Sequence, residues 1–443
     1  MYDKEWVKIV RSDFPVFKNL KNNKPPVYLD NACTSLVPEK VINVMNKYYT
    51  DYPGCAGTRS RHWFADKITS QIEGDPDKNI PGSRRLIQEL IKAESPKQII
   101  FTLNTSFAIN MVALGFNFHS GDVVVLSDKE HNSNLLPWLR LQNMGLIKVA
   151  YVESDNQGCF DLDLFRRQLE NNRIRLISLA YTSNLTGETI PAKEIIRMAH
   201  AYGARVLLDA AQTVPHQEID VQDLDVDILA FSLHKMCGPK GVGILYAKQE
   251  LLENNGHSDD KINPVILGGG SDRDSTYDSY SLLESPEKYE IGVQNYAGQI
   301  AAGEAVRYIQ QVGFERIRDC ELELNKFLTK QLLGRYEGTK WFKILGPLDS
   351  NRRGGILAFE VKRPNAVGIA EELSEKNNVM IRDGVFCVHS YANKLFGPNW
   401  LNPSLPDLQR MMYRVSVYFY NTIEECSIFL ETLDNIFKER SYI

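Results

Sequence analysis

The sequence predicts an α/β protein in which a mostly parallel, helix-covered sheet is followed by a smaller α+β domain. Three observations carry that expectation. Short apolar runs alternate with amphipathic stretches from about residue 95 to about residue 250. The triplet Gly268-Gly269-Gly270 and a polar stretch over 271–288 then break the rhythm. Longer helical patterns with only a few strands complete the chain.

Each element follows from its pattern. The runs at 99–101, 123–126, 147–152, 174–180, 206–208 and 228–231 are short, apolar and rich in Val, Ile and Leu, as strands covered on both faces are. Between them, 106–116, 163–169 and 192–202 carry helical periodicity. Strand and helix repeated in this order predict a parallel sheet, with ligand sites at the carboxyl ends of its strands. Helices are expected over 297–311 and 314–333, strands near 355–361 and 413–418, and a closing helix from about Thr422. Residues 75–82, with Pro76, Pro81 and Gly82, read as a loop between two helices.

Composition narrows the class. A chain of 443 residues suggests two or three domains at roughly 100–200 residues each. Hydrophobic residues at 43% and charged residues at 24% are ordinary for a folded soluble protein. The net charge of −5 gives no basic footprint for nucleic acid or anionic membrane. No apolar run reaches the ~18 residues of a membrane span, and the charged N-terminus lacks the core of a signal peptide. Seven scattered cysteines without a Cys-x-x-Cys fit a reducing, cytoplasmic setting better than a disulfide framework or a metal site.

The chemistry concentrates where the run ending at Phe231 enters Ser232-Leu233-His234-Lys235 and a glycine-rich turn. A lysine at the buried end of a strand is costly unless it is paired, desolvated or covalently bonded. Attachment to pyridoxal phosphate meets that requirement, with Ser232 and His234 placed to hold the phosphate. Asp209 ends another apolar strand, and pyridoxal phosphate needs a carboxylate against its ring nitrogen. Alone, Asp209 also looks like a helix cap. Two strand ends in one parallel sheet, one bearing Asp and the other His-Lys, make the pair specific. Asn104-Thr105-Ser106 opens a helix, where free N–H groups favour phosphate.

With these motifs in view, the chain resembles class V aminotransferase-fold enzymes, and within them Suf-type cysteine desulfurases and selenocysteine lyases. The resemblance runs from Tyr28-Leu29-Asp30-Asn31-Ala32 to Phe419-Tyr420-Asn421-Thr422, and Ser-x-His-Lys-x-x-Gly-Pro-x-Gly is its strongest motif. It implies an aspartate-aminotransferase-like fold, with a large domain over 27–296 and a small domain formed by 1–26 and 297–443. It further implies that Lys235 carries the cofactor, Asp209 meets its ring nitrogen and Gln212 its phenolic oxygen. His131 would stack on the ring as a catalytic histidine, Asn184 would lie beside it, and Thr105, Ser106, Ser232 and His234 would serve the phosphate. His62 matches a substrate-pocket histidine, although Arg59 and Arg61 stand close by. Arg382 and Arg414 match the carboxylate-binding arginines, and Cys387, five residues after Arg382, matches the sulfur-accepting cysteine.

The implied activity converts L-cysteine to L-alanine, leaving sulfur on Cys387 for an acceptor protein. A homodimer is implied too. Selenocysteine lyase, another C–S β-lyase or an epimerase on the same scaffold is the alternative. A thiolate attacks sulfur more readily than a thiol, and Arg382 or His389 is placed by spacing to supply positive charge to Cys387. Gly384 and the polar run 390–394 predict a mobile loop. The chain departs from the family pattern at Gly292-Val293, where the family has Gly-Thr reaching the phosphate across the dimer; Gln294 and Asn295 are the nearest substitutes. It departs again at Val385-Phe386, where histidines are usual.

Overall fold

The computed structural model describes residues 2–57, 60–155, 157–253, 259–398, 400 and 410–443. Arg59 lies outside the described residues. Its main sheet has seven strands: β1 (Ile99–Thr102), β2 (Val123–Ser127), β3 (Lys148–Val152), β4 (Ile174–Ala180), β5 (Arg205–Asp209), β6 (Ile228–Ser232) and β7 (Gly243–Ala247). Their order is β1-β7-β6-β5-β4-β2-β3, and β7 alone runs antiparallel to its neighbours. Every residue of β2, β6 and β7 is buried, which is why these strands read as unbroken apolar runs. Along β2, Val123 and Val125 enter one core cluster while Val124 and Leu126 enter another. The two-residue pleat thus feeds a core on each face of the sheet.

Residues 75–82 connect helix α1 (Trp63–Glu73) to α2 (Gly82–Leu90), as the prolines and glycine predict. Arg84 on α2 ties this helix pair to the body through Glu73 and Glu290 at 2.8 and 2.7 Å. Two further helices, α3 (Thr105–Gly115) and α4 (Asn132–Asn143), follow β1 and β2 and direct their N-termini to the carboxyl end of the sheet.

The C-terminal region builds a second sheet from β8 (Phe342–Leu345), β9 (Ile356–Val361), β10 (Arg382–Asp383) and β11 (Met411–Ser416), antiparallel in the order β8-β9-β11-β10. Its core takes Leu324, Leu328 and Leu332 from α6 (Phe314–Tyr336) and Phe429, Leu433 and Phe437 from α8 (Ile423–Glu439). Thr422 and Glu425 form a reciprocal capping box that starts α8. Helix α5 (Tyr296–Val312) and the N-terminal Val7, Val10 and Phe14 belong to one of the cores of the large sheet.

One expectation fails. Residues 390–394 are part of helix α7 (His389–Phe396) rather than a mobile loop. Buried Tyr391 and Ala392 face the core, next to Val388, and Lys394 pairs outward with Asp128 and Glu153 at 3.0 and 2.9 Å. The polar letters of that run are the solvent side of an amphipathic turn.

Candidate active site

The carboxyl ends of β4, β5 and β6 and the first turns of α3 and α4 enclose a cavity of about 310 Å³. Lys235, Asp209, Gln212, Asn184, His131, Thr105, Ser106, Ser232 and His234 line it together with Arg382, Cys387 and Arg414. His62 does not. It caps α1 by accepting the Ala65 N–H on Nδ1 at 3.3 Å, is exposed, and is absent from the cavity wall.

The sheet side is held by short, buried contacts. Thr105 N–H donates to Ser232 Oγ at 2.8 Å, and the two hydroxyls lie 2.6 Å apart. This seats the start of α3 against the end of β6. Gly243 permits the approach, because a Cβ there would sit 2.5 Å from the Asn104 backbone. Asn104 caps α3 through the Phe107 N–H at 2.9 Å, and Ser106 Oγ meets Ser133 Oγ at 2.6 Å. Asp209 is buried and accepts the Ala211 N–H at 3.0 Å. Burial raises its carboxyl above the usual range, against the pull of the Lys235 ammonium. Burial likewise lowers Lys235, opposed by Asp209.

His131 caps α4, its Nδ1 accepting the Ser133 N–H at 3.0 Å. Burial and the nearby cations lower it to about 3, so the ring is neutral at ordinary pH. His234 falls to about 4 for the same first reason, with Lys235 adding to it. Glu130 is sealed behind His131 and accepts from Ser127 Oγ, Asn134 Nδ2 and the Ala180 N–H at 2.5, 2.7 and 2.8 Å. Burial still pushes its carboxyl up to about 7.

The opposite wall comes from the small sheet. Phe386 and Cys387 both have left-handed backbones, with φ of 52° and 59°. Each such non-glycine residue costs about 1–3 kcal/mol and persists only where its surroundings fix it. The carbonyls are fixed: Phe386 O accepts Asn184 Nδ2 at 2.8 Å, and Cys387 O accepts the Asn132 N–H at 2.6 Å. The preceding Gly384, at φ 97°, makes the turn that a side chain would resist. Arg414 donates to Asn184 O and Asp30 Oδ1, each at 3.0 Å. The cations expected beside Cys387 are engaged elsewhere: Arg382 Nη1 contacts Cys33 Sγ at 2.8 Å and His389 Nδ1 contacts Asn132 Nδ2 at 2.9 Å.

These residues fit pyridoxal phosphate. Among the described residues, Gln212 Oε1 and Arg414 Nε are buried without a hydrogen-bond partner, and Lys235 Nζ makes no hydrogen bond. A cationic ring nitrogen suits Asp209, a carbonyl carbon suits Lys235, and a phosphate suits the α3 N-terminus with its hydroxyls. Val293 is 78% exposed, while Gln294 and Asn295 spend their amides on Ile291 O and Gly241 O. Neither amide reaches the cavity of its own chain. The sequence pattern assigns no role to Cys33 or Ser133, which also line the cavity. Cys33 stands one residue past the quoted Tyr28–Ala32 run, and a lone cysteine there carries no periodic signal.

Comparison with known proteins agrees with this geometry. The profile of the Aminotransferase class-V family matches residues 27–429, and the chain belongs to that family. Its relatives include proteins named as cysteine desulfurases: a probable cysteine desulfurase of Synechocystis sp. is 34% identical over 96% of this chain and 94% of its own length. The apo structure of the cysteine desulfurase of Thermococcus onnurineus superposes with a TM-score of 0.84, at 31% identity and 98% coverage of both chains. A C-DES variant with glycine linked to its PLP cofactor shares the fold, with a TM-score of 0.74 at 20% identity over 96% of this chain and 98% of that one. Pyridoxal 5′-phosphate is the cofactor of this class of enzyme.

Proposed function

We propose that the protein is a pyridoxal-phosphate-dependent cysteine desulfurase that converts L-cysteine to L-alanine and carries the sulfur as a persulfide on Cys387. The observation that carries this reading is Cys387 lining the same cavity as Lys235, Asp209 and both arginines. When bound, the cofactor supplies an electron sink that loosens the bonds at the substrate Cα.

The chain supplies the rest. Arg382 and Arg414 take the substrate carboxylate, for which the planar guanidinium is suited. Thr105, Ser106, Ser232 and His234 hold the phosphate, Asp209 the ring nitrogen and Gln212 the phenolic oxygen, with Asn184 beside the ring. His131 offers it a neutral face. Lys235, kept from its usual basicity by burial, moves the Cα proton. Cys387 attacks the substrate sulfur; the S–S bond forms as the C–S bond breaks, and the carbon keeps the electron pair and takes a proton. L-Cysteine plus the Cys387 thiol thus gives L-alanine plus the persulfide.

The exposed apolar side chains of Leu103, Val265, Ile266 and Val293 beside a second hollow of about 230 Å³ support a homodimer. Among the described residues no helix is long and apolar enough to cross a membrane. The reading includes a cytoplasmic setting, L-cysteine as substrate and a protein sulfur acceptor. It also keeps, as bounds along the chain, a large domain over 27–296 and a small one of 1–26 and 297–443 carrying Cys387, although Val7, Val10, Phe14 and helix α5 pack in the large-sheet core.

The test is a pulse of L-cysteine on holoenzyme, with alanine quantified and the Cys387 peptide weighed. Wild type should gain one sulfur on Cys387 and form alanine. Cys387→Ala should keep its cofactor absorbance and lose alanine formation by about 100-fold or more. Alanine at the wild-type rate would make Cys387 a bystander, and pyruvate with ammonia would place the enzyme among β-lyases.

A further inference from the structure

The two arginines of the cavity are held in unlike ways. Arg414 is 2% exposed and locked by Asp30 and the Asn184 carbonyl. Arg382 is half-buried on the two-residue strand β10, just before Gly384, and has no carboxylate partner among the described residues. Its one side-chain hydrogen bond there runs from Nη1 to Cys33 Sγ, at 2.8 Å.

Cys33 is a fixed point. The Asn31 amide donates to Ser416 O at 2.7 Å, and the Ala32 N–H donates to Ser416 Oγ at 2.8 Å. Ala32 O accepts Gln212 Nε2 at 2.7 Å, and Thr34 Oγ1 donates to His234 O at 2.9 Å. The segment bearing the thiol is therefore tied to the small sheet and to the lysine-bearing turn at once. A guanidinium has N–H groups to spare: with Nη1 on sulfur, the edge formed by Nε and Nη2 still offers a parallel pair to a carboxylate.

We propose that Cys33 is a positioning residue, whose sulfur holds one nitrogen of Arg382 so that the free edge of the guanidinium meets the substrate carboxylate. The inference rests on the amino-acid-binding role proposed above for Arg382. It gives the thiol a function in substrate affinity without any part in sulfur transfer.

The experiment compares holoenzyme carrying Cys33→Val, which keeps comparable apolar bulk but accepts no hydrogen bond, with Cys33→Ser, which accepts one. L-Alanine binding is titrated through the cofactor absorbance, independently of turnover, and KM and kcat are measured with L-cysteine. Cys33→Val should raise the L-alanine Kd and the L-cysteine KM by about tenfold, with kcat changed less than about twofold. Cys33→Ser should restore both constants to within about threefold of wild type. A wild-type Kd in Cys33→Val overturns the proposal. So does a Cys33→Ser as weak as Cys33→Val, which would reduce Cys33 to filler. If the L-alanine pattern holds while no form desulfurises L-cysteine, the positioning role stands and the desulfurase reading falls.

Discussion

The sheet side of the cavity and the cysteine wall are built by opposite means. Lys235, Asp209 and Ser232 stand at or just past the buried ends of strands, so the backbone that aims them is part of the core. Cys387 sits between β10 and α7 on a left-handed backbone, kept there by the Asn132 N–H and the Asn184 amide. Both of those donors belong to the large-sheet side. The wall is thus positioned by what it faces, and disturbing the sheet side should move Cys387, whereas disturbing the wall should leave the sheet side in place.

The largest effect tests the sheet side alone. Lys235→Ala should cut L-cysteine turnover by about 1,000-fold or more, as loss of both attachment and proton transfer predicts. Borohydride reduction of the wild type followed by peptide mapping should place the cofactor on Lys235; an adduct on another lysine would remove the centre of the site. Next comes Asp209→Asn. It should retain cofactor and lose about 100-fold in turnover, because a neutral amide no longer holds a charged ring nitrogen. Wild-type turnover in that variant would give the ring nitrogen a different partner.

The same contrast explains what could be read from the sequence. Asp209 and Lys235 were legible because each stands at or just past the end of a short apolar run, and a charge in that position demands a reason. The cofactor-side hydroxyls were legible through the start of α3. On the wall, Arg382 and Cys387 became visible only through family resemblance, since β10 has two residues and leaves no periodic trace, and Arg414, on the legible strand β11, took its role from the same resemblance. Helix α7 was misread because half of its residues are polar, and the buried spacing of Val388, Tyr391 and Ala392 is short. His62 fits the motif, yet its ring caps α1, a local bond that sequence matching does not weigh. The contact between Cys33 and Arg382 joins residues 349 positions apart, and no local pattern encodes it.

A smaller effect probes the join between the two sides. Asn184→Ala removes the donor on Phe386 O, so the left-handed pair loses one of its two ties. In cofactor-free protein, iodoacetamide should label Cys387 about five- to tenfold faster, as loss of one hydrogen bond worth about 1 kcal/mol allows. Turnover should fall by about tenfold. An unchanged labelling rate would mean that the Asn132 contact and the packing of Phe386 suffice, and the wall would be more self-supporting than this comparison holds.

The last and mildest prediction concerns Glu130, behind His131, where burial and hydrogen bonding oppose each other. Burial raises its carboxyl from the ordinary 4.5 to about 7, despite the Ser127 and Asn134 donors. A carboxyl raised in the folded state favours folding most below its unfolded value and loses that contribution as pH climbs through the folded one. Between those limits the unfolded chain ionises Glu130 while the folded chain keeps its proton, so wild type is destabilised with rising pH. Glu130→Gln has nothing to ionise. From pH about 4.5 to about 7, wild type should therefore lose on the order of 3 kcal/mol relative to the variant, or about 3 °C in Tm for a chain of this length. Thermal unfolding of both proteins across that interval reads the difference directly. A wild type that instead gains on the variant as pH rises would show that the four donors around Glu130 outweigh its burial. The support beneath His131 would then be an ionised carboxylate, and the sheet side would carry one more fixed negative charge than its burial suggests.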